Sequence, residues 1–290
     1  MKFQFPLNRI HCFSQFRFYI FISLLSFCNP LEEQYRVDVE RMFGSQQRIE
    51  TKVLSESDIK SLPKPVQRYL QYTGVLGKPQ TTNMRILFDE LMYKTPNSEP
   101  MVSSSEQYNF FNDPSRFFYM KASMMGVPFR VYHSYANEKA SMVVKIVSWI
   151  EVVNVDGEEL TNTETVTLLN DLCLFAPSAL LQNNITWQEE GPLSAKLMYQ
   201  NGKYKVSAQL MFNEKGELIN FISDDRAALQ DDGSLRKARW STPVKEYKEF
   251  NGVKVPTYGE AIWNFPEGDF VYGKFFLKNF ETNLVSKIEE

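Results

Sequence analysis

The sequence predicts a mainly β protein: a large curved antiparallel sheet, a half-barrel of about a dozen strands, with one or two helices packed against its concave side. Three observations carry this. From about residue 80 onward, apolar and polar residues alternate with period two in run after run. Turn signals such as Asn201-Gly202, Asp232-Gly233, Asn251-Gly252 and Glu267-Gly268 separate the later runs. Only two stretches, near 64–73 and 164–182, carry the spacing of helices. No Gly- or Pro-rich linker interrupts residues 55–285, which therefore read as a single β-rich domain.

The elements follow in order. Lys2, Arg9 and Arg17 precede an apolar run of 11 residues, Phe18 to Cys28, with no acid among the first 28. A bilayer-spanning helix needs about 20 apolar residues, so residues 1–28 read as a signal peptide or N-terminal anchor. Residues 29–54 are mixed and charged and read as a short helix or tether. In 64–73, Val66, Tyr69, Leu70 and Thr73 share a face, and Gly74 ends the helix. Strands are expected near 82–89, 101–111, 116–121, 127–135 and, as one long run, 140–153. Thr161 or Thr163 is a candidate cap for the second helix, whose stripe is Val166, Leu169, Leu172, Cys173 and Ala176. Beyond it, hairpins are expected: 193–200, 204–212, 217–225, 236–242, 244–250, a run starting at 254, 258–265 and 269–280.

Composition limits the chemistry. The chain is 43% hydrophobic, 14% aromatic and 23% charged, which excludes disorder as the main state. Its charge of -3 becomes -6 without the basic leader, so it lacks the electrostatic footprint of a nucleic-acid binder. No phosphate-cradling glycine motif, C-x-x-C or H-E-x-x-H occurs, and His133 is the one histidine beyond the leader. No metal site and no cofactor is therefore expected. Cys173, the one cysteine beyond the leader, reads as a buried small hydrophobe. Cys28 follows Leu25-Ser26-Phe27, a defective lipobox that leaves acylation open as a minor alternative. Asp171, Asp225, Arg226 and Glu260 form a candidate polar cluster. A structural role is favoured for it over paired-carboxylate hydrolysis.

Two short helices cannot cover a flat sheet of this size. The sheet must curl into a filled interior or leave an apolar cavity. Trp149, Trp187, Trp240, Trp263 and Phe276 on strands, with Leu172 and Phe175 on the helix, are the candidate lining.

Leu62-Pro-x-Pro-Val-Gln-Arg-Tyr-Leu70, Gly74-Val-Leu-Gly77, Asn170-Asp-Leu-Cys-Leu-Phe-Ala-Pro177 with Ala179-Leu-Leu181, Phe221-x-Ser-Asp-Asp-Arg226, and Trp240-Ser-Thr-Pro243 with Tyr247 resemble an uncharacterised bacterial domain-of-unknown-function family across residues 55–285. The resemblance implies an N-terminal membrane segment and names no activity. At the level of architecture alone, the chain is similar to the LolA/LolB-like lipoprotein-carrier half-barrels of bacterial envelopes, which hold acyl chains in a concave sheet. The leading expectation is a non-enzymatic envelope protein, periplasmic or membrane-anchored, that binds a lipid or other apolar ligand. An interaction domain with a filled core and a carboxylate-dependent hydrolase are the alternatives.

Overall fold

The computed structural model describes residues 29–46, 51–124, 126–230 and 232–288. The leader 1–28, with Cys28, lies outside the described residues. Among those described, no helix is long and apolar enough to cross a membrane.

Thirteen antiparallel strands form a curved half-barrel sheet: β1 (Asn83–Met92), β2 (Met101–Phe110), β3 (Ser115–Met124), β4 (Val127–Ala136), β5 (Lys139–Ile146), β6 (Ile150–Asp156), β7 (Ile185–Gly191), β8 (Ser194–Asn201), β9 (Tyr204–Phe212), β10 (Leu218–Leu229), β11 (Leu235–Phe250), β12 (Val253–Phe265) and β13 (Gly268–Thr282). The order is β6-β5-β4-β3-β2-β1-β13-β12-β11-β10-β9-β8-β7. Each meander thus runs through neighbouring strands, and the two are sewn together by β1 against β13, where Ile86 faces Phe280.

Among the described residues four helices accompany the sheet: α1 (Pro30–Ser45), the single turn α2 (Glu56–Ile59), α3 (Lys64–Thr73) and α4 (Glu158–Phe175), which runs into a 3-10 turn at Pro177–Leu181. The position of α4 explains the curvature. It joins edge strand β6 to β7 at the opposite edge. Thirteen strands laid flat would span about 57 Å, whereas α4 is about 27 Å long. The connection is made by curling the sheet around the helix, which touches β4, β5 and β6 on one wing and β9, β10 and β12 on the other. The wings come close enough for Asn201 on β8 to donate to the Tyr135 hydroxyl on β4 at 2.7 Å.

The start of α4 lies earlier than its threonines suggest. Gly157, at φ +108°, turns the chain from β6 into the helix. Thr161 and Thr163 lie inside the helix and are buried, and their hydroxyls accept from the backbone N–H groups of Ala140 and Ala227. They tie the helix to both wings rather than capping it. Four other expectations also change. The run 140–153 breaks into β5 and β6 at Val147 and Ser148, both with positive φ. Pro243 lies within one continuous β11 and Pro256 within one continuous β12, so the separate runs read around them merge. β7 adds a strand that alternation alone did not delimit.

Residues 30–45 are no loose tether. Asn29 caps α1, accepting from the Glu32 N–H at 3.4 Å. Leu31, Tyr35, Val39 and Met42 fall at helical spacing and are buried on the convex face, against Tyr108, Phe110, Phe117, Tyr119 and Tyr132. The large core lies on the other face, between α4, α3 and the concave side of the sheet. There α3 buries Val66, Tyr69, Leu70 and Thr73, the face its spacing predicts, and the Tyr69 hydroxyl donates to the Cys173 carbonyl at 2.8 Å.

Candidate functional site

Strand alternation decides which side chains meet on the concave side. On β2, Gln107 and Asn109 point inward while Tyr108 and Phe110 point to α1. On β3 the inward residues include Arg116, Phe118 and Met120, and on β4 they include Val131 and His133. Glu164 and Asp171 stand seven residues apart on α4, hence on one face. Together with residues of β10–β13 they border a cavity of about 200 Å³. Its walls are largely apolar: Phe88, Met92, Phe118, Met120, Phe175 and Phe275 are among them. Its polar groups are concentrated around α4.

That polar cluster has two differently built parts. Around Asp171 it is closed. Arg116 donates to Asp171 at 2.9 Å, Gln107 and Asn109 each donate to the same carboxylate at 3.0 Å, and Arg116 also donates to Gln107 at 3.1 Å. Around Glu164 it is open. Arg116 reaches Glu164 at 3.4 Å, while His133 Nδ1 stands 3.7 Å away and Arg226 Nη2 3.8 Å away. Arg226 lies over the ring of Trp240 at 4.0 Å, makes one long contact to the Tyr272 hydroxyl at 3.4 Å, and has a buried Nε with no hydrogen-bond partner. Burial pushes the Glu164 carboxyl up, but His133, then Arg116 and Arg226, outweigh burial and hold it at about 2.

The sequence candidates distribute unevenly around this cavity. Trp240, Phe175, Asp171, Arg226 and Glu260 border it. Trp263 is buried one layer behind, stacked on Tyr272 at 5.7 Å, and Leu172 is in the core. Trp187 is half-buried against the core from β7. Trp149 lies 53% exposed on the β5–β6 turn, and Phe276 is 39% exposed against Tyr258. The four polar candidates do not form one cluster. Asp171 belongs to the Arg116 group, Asp225 accepts from the Ser207 N–H and hydroxyl, Arg226 faces Glu164, and Glu260 accepts from Tyr258. Arg116, Glu164, Gln107 and Asn109 were not among the candidates. Their signal is polar side chains at inward positions of otherwise apolar faces. Cys173 is fully buried, and burial raises its thiol well above the usual range, which makes it inert. Among the described residues, no group of three or more His, Cys, Asp or Glu side chains is arranged to hold a metal ion.

These features define a curved antiparallel half-barrel closed over a helix, with an apolar cavity that ends on a buried polar cluster. A family of unknown function (DUF6544) matches residues 52–275, and the chain belongs to that family. Among curated proteins none matches the chain. Two solved structures are similar to it. A LolA superfamily protein from Nitrosomonas europaea is 10% identical with a TM-score of 0.39, over 75% of this chain and 93% of that one. A DUF1329 family protein from Desulfovibrio piger is 10% identical with a TM-score of 0.41, over 76% of this chain and 91% of that one.

Proposed function

We propose that the protein is a non-enzymatic envelope protein that holds a lipid or similar apolar ligand in the concave cavity. The observation that carries this reading is the cavity itself: about 200 Å³ remaining beside α4 with mostly apolar walls. An apolar cavity of roughly 150 Å³ stays dry and accepts benzene, so this one is large enough for part of an acyl chain. The walls also lead outward. Met120 and Val131 continue into Ala122 and then Phe129 and Val144, an apolar row that reaches Met124 and Val127 at the β3–β4 turn. The last two are 48% and 46% exposed, which suits a mouth through which a longer chain enters. Asp171 accepts from three donors at one carboxylate oxygen, which suits a fixed structural role better than acid–base work.

Export rests on the basic start and short apolar run of residues 1–28, which serve in this reading as signal peptide or anchor. The purified protein should take up a fluorescent fatty acid, and native mass spectrometry after gentle purification should reveal bound lipid. Protein that is free of lipid and takes up no probe would sink the proposal. A second reading, an interaction domain, draws on Val147, Trp149, Ile150 and Val152, which are all exposed around the β5–β6 hairpin at the sheet edge. A Trp149→Ser variant that abolished a stable partner complex without changing probe uptake would favour it.

A further inference from the structure

Taking the apolar-ligand reading as its footing, we propose that the ligand ends in a neutral head whose one oxygen both accepts and donates a hydrogen bond, a hydroxyl, seated between Arg226 and Glu164. The two parts of the polar cluster differ in how well they are satisfied, and the difference marks the seat. Asp171 Oδ2 accepts three hydrogen bonds of 2.9 to 3.0 Å, and Arg116 is tied to Asp171 and Gln107 at 2.9 and 3.1 Å, so this part is held by short contacts within the protein. Arg226 and Glu164 are 8% and 3% exposed, yet they stand 3.8 Å apart, and Arg226 Nε has no partner. Buried donors and acceptors left in this state are costly. Both residues border the cavity, so a group that completes the long contact between Arg226 Nη2 and Glu164 Oε1 comes from the cavity side, while the orphaned Nε itself is buried.

The geometry selects the head. An oxygen placed about 2.8 Å from both Arg226 Nη2 and Glu164 Oε1 closes a triangle, and such distances are ordinary for hydrogen bonds. That atom must accept from the guanidinium and donate to the carboxylate, which a hydroxyl does and an ether or ester oxygen does not. Charge argues for neutrality. An anionic head in this seat would stand about 2.8 Å from the Glu164 carboxylate, like charge against like in a buried site. The body of the ligand then lies along Phe88, Phe118, Met120, Phe175 and Phe275.

The test displaces a neutral fluorescent reporter, N-phenyl-1-naphthylamine, from the full chain with three size-matched compounds. These are n-nonane, methyl heptyl ether and 1-octanol, each affinity divided by the compound's water-to-hexadecane partition. The alcohol should exceed the ether and the ether the alkane, each step by well over tenfold, since against an apolar reference a hydrogen bond counts at its full strength. Arg226→Met should cut the alcohol-to-alkane ratio by the step that the ether shows over the alkane, leaving the step due to Glu164, a ratio internal to each variant. Equal corrected affinities of alcohol and alkane for the unmodified protein would overturn the inference, leaving water to complete the cluster. Octanoate binding more tightly than octanol would overturn the neutral head. Should Arg226→Met fail to fold, the series on the unmodified protein decides alone. If the reporter does not bind at all, the apolar-ligand reading falls and this inference falls with it.

Discussion

The two faces of the sheet are covered by two helices that hold on in different ways. On the concave face, α4 is buried along most of its length, and its polar side chains bond to strands on both wings. On the convex face, α1 buries only Leu31, Tyr35, Val39 and Met42, and the surface beneath it is chiefly tyrosine and phenylalanine. The outer face has a buried charge of its own, Arg85, but its partners Glu106 and Glu281 remain 19% and 30% exposed. The inner helix is therefore bound by commitments that must all be met at once. The outer helix is bound by one apolar stripe, supported by partly hydrated contacts. Breaking the first should collapse the molecule, and breaking the second should release one element.

The sharpest break is Arg116→Met. It leaves Asp171 and Glu164 buried, with only amide donors on the first. Removing one partner of a buried ion pair costs about 3 to 5 kcal/mol, to be read from urea unfolding. Replacing both partners, Arg116→Met with Asp171→Leu, should recover part of the loss, because the penalty is an unpaired charge rather than missing attraction. A double variant as unstable as the sum of the single ones would show that the pair itself carries the stability.

Acid should act on the same inner cluster. Glu164 titrates at about 2 in the folded chain, against an ordinary value of 4.5. Its contribution is complete above about pH 4.5 and is lost as pH falls through about 2, amounting to roughly 3 kcal/mol by linkage. Stability of the unmodified protein should therefore fall more steeply between these pH values than that of Glu164→Gln. Parallel curves would mean that the cluster does not hold Glu164 ionised.

How much of this was legible depends on whether the signal is local. Alternation in runs such as 204–212 marks a strand because one face is apolar all along, and the structure buries that face in β9. The hairpin at Val147 and Ser148 was not legible, because a β-branched residue in left-handed backbone is disfavoured and carries no turn signature. Pro243 and Pro256 misled in the opposite direction, since each is tolerated inside a long strand. Thr161 looked like a cap because threonine caps helices, whereas its true partner, the Ala140 N–H, is reached only once the sheet has curled. The cavity suffered most. Its polar members come from five elements, Gln107 on β2, Arg116 on β3, His133 on β4, Glu164 and Asp171 on α4 and Arg226 on β10, and tertiary geometry brings those elements together. Aromatic content pointed to Trp240, which borders the cavity, and equally to Trp149, which lies on an exposed turn.

The smallest effects belong to the outer face, where they test whether α1 is a separable element. Tyr35 is 1% exposed, stacked on Tyr119 at 5.4 Å and edge-on to Tyr132 at 5.8 Å. A buried aromatic replaced by alanine ordinarily costs roughly 3 to 5 kcal/mol. Here the loss should stop near about 2 kcal/mol, because α1 can leave the sheet before the rest unfolds. Hydrogen exchange should then quicken across residues 30–45 while the amides of α4 keep their protection. Lys121→Ala removes the partly exposed pair between β3 and Glu32, 2.9 Å long, and should cost under about 1 kcal/mol. If Lys121→Ala loosened α1 as much as Tyr35→Ala did, docking would be electrostatic. If Tyr35→Ala exposed the amides of α4 as well, the two faces would be a single cooperative unit, and the contrast between them would not stand.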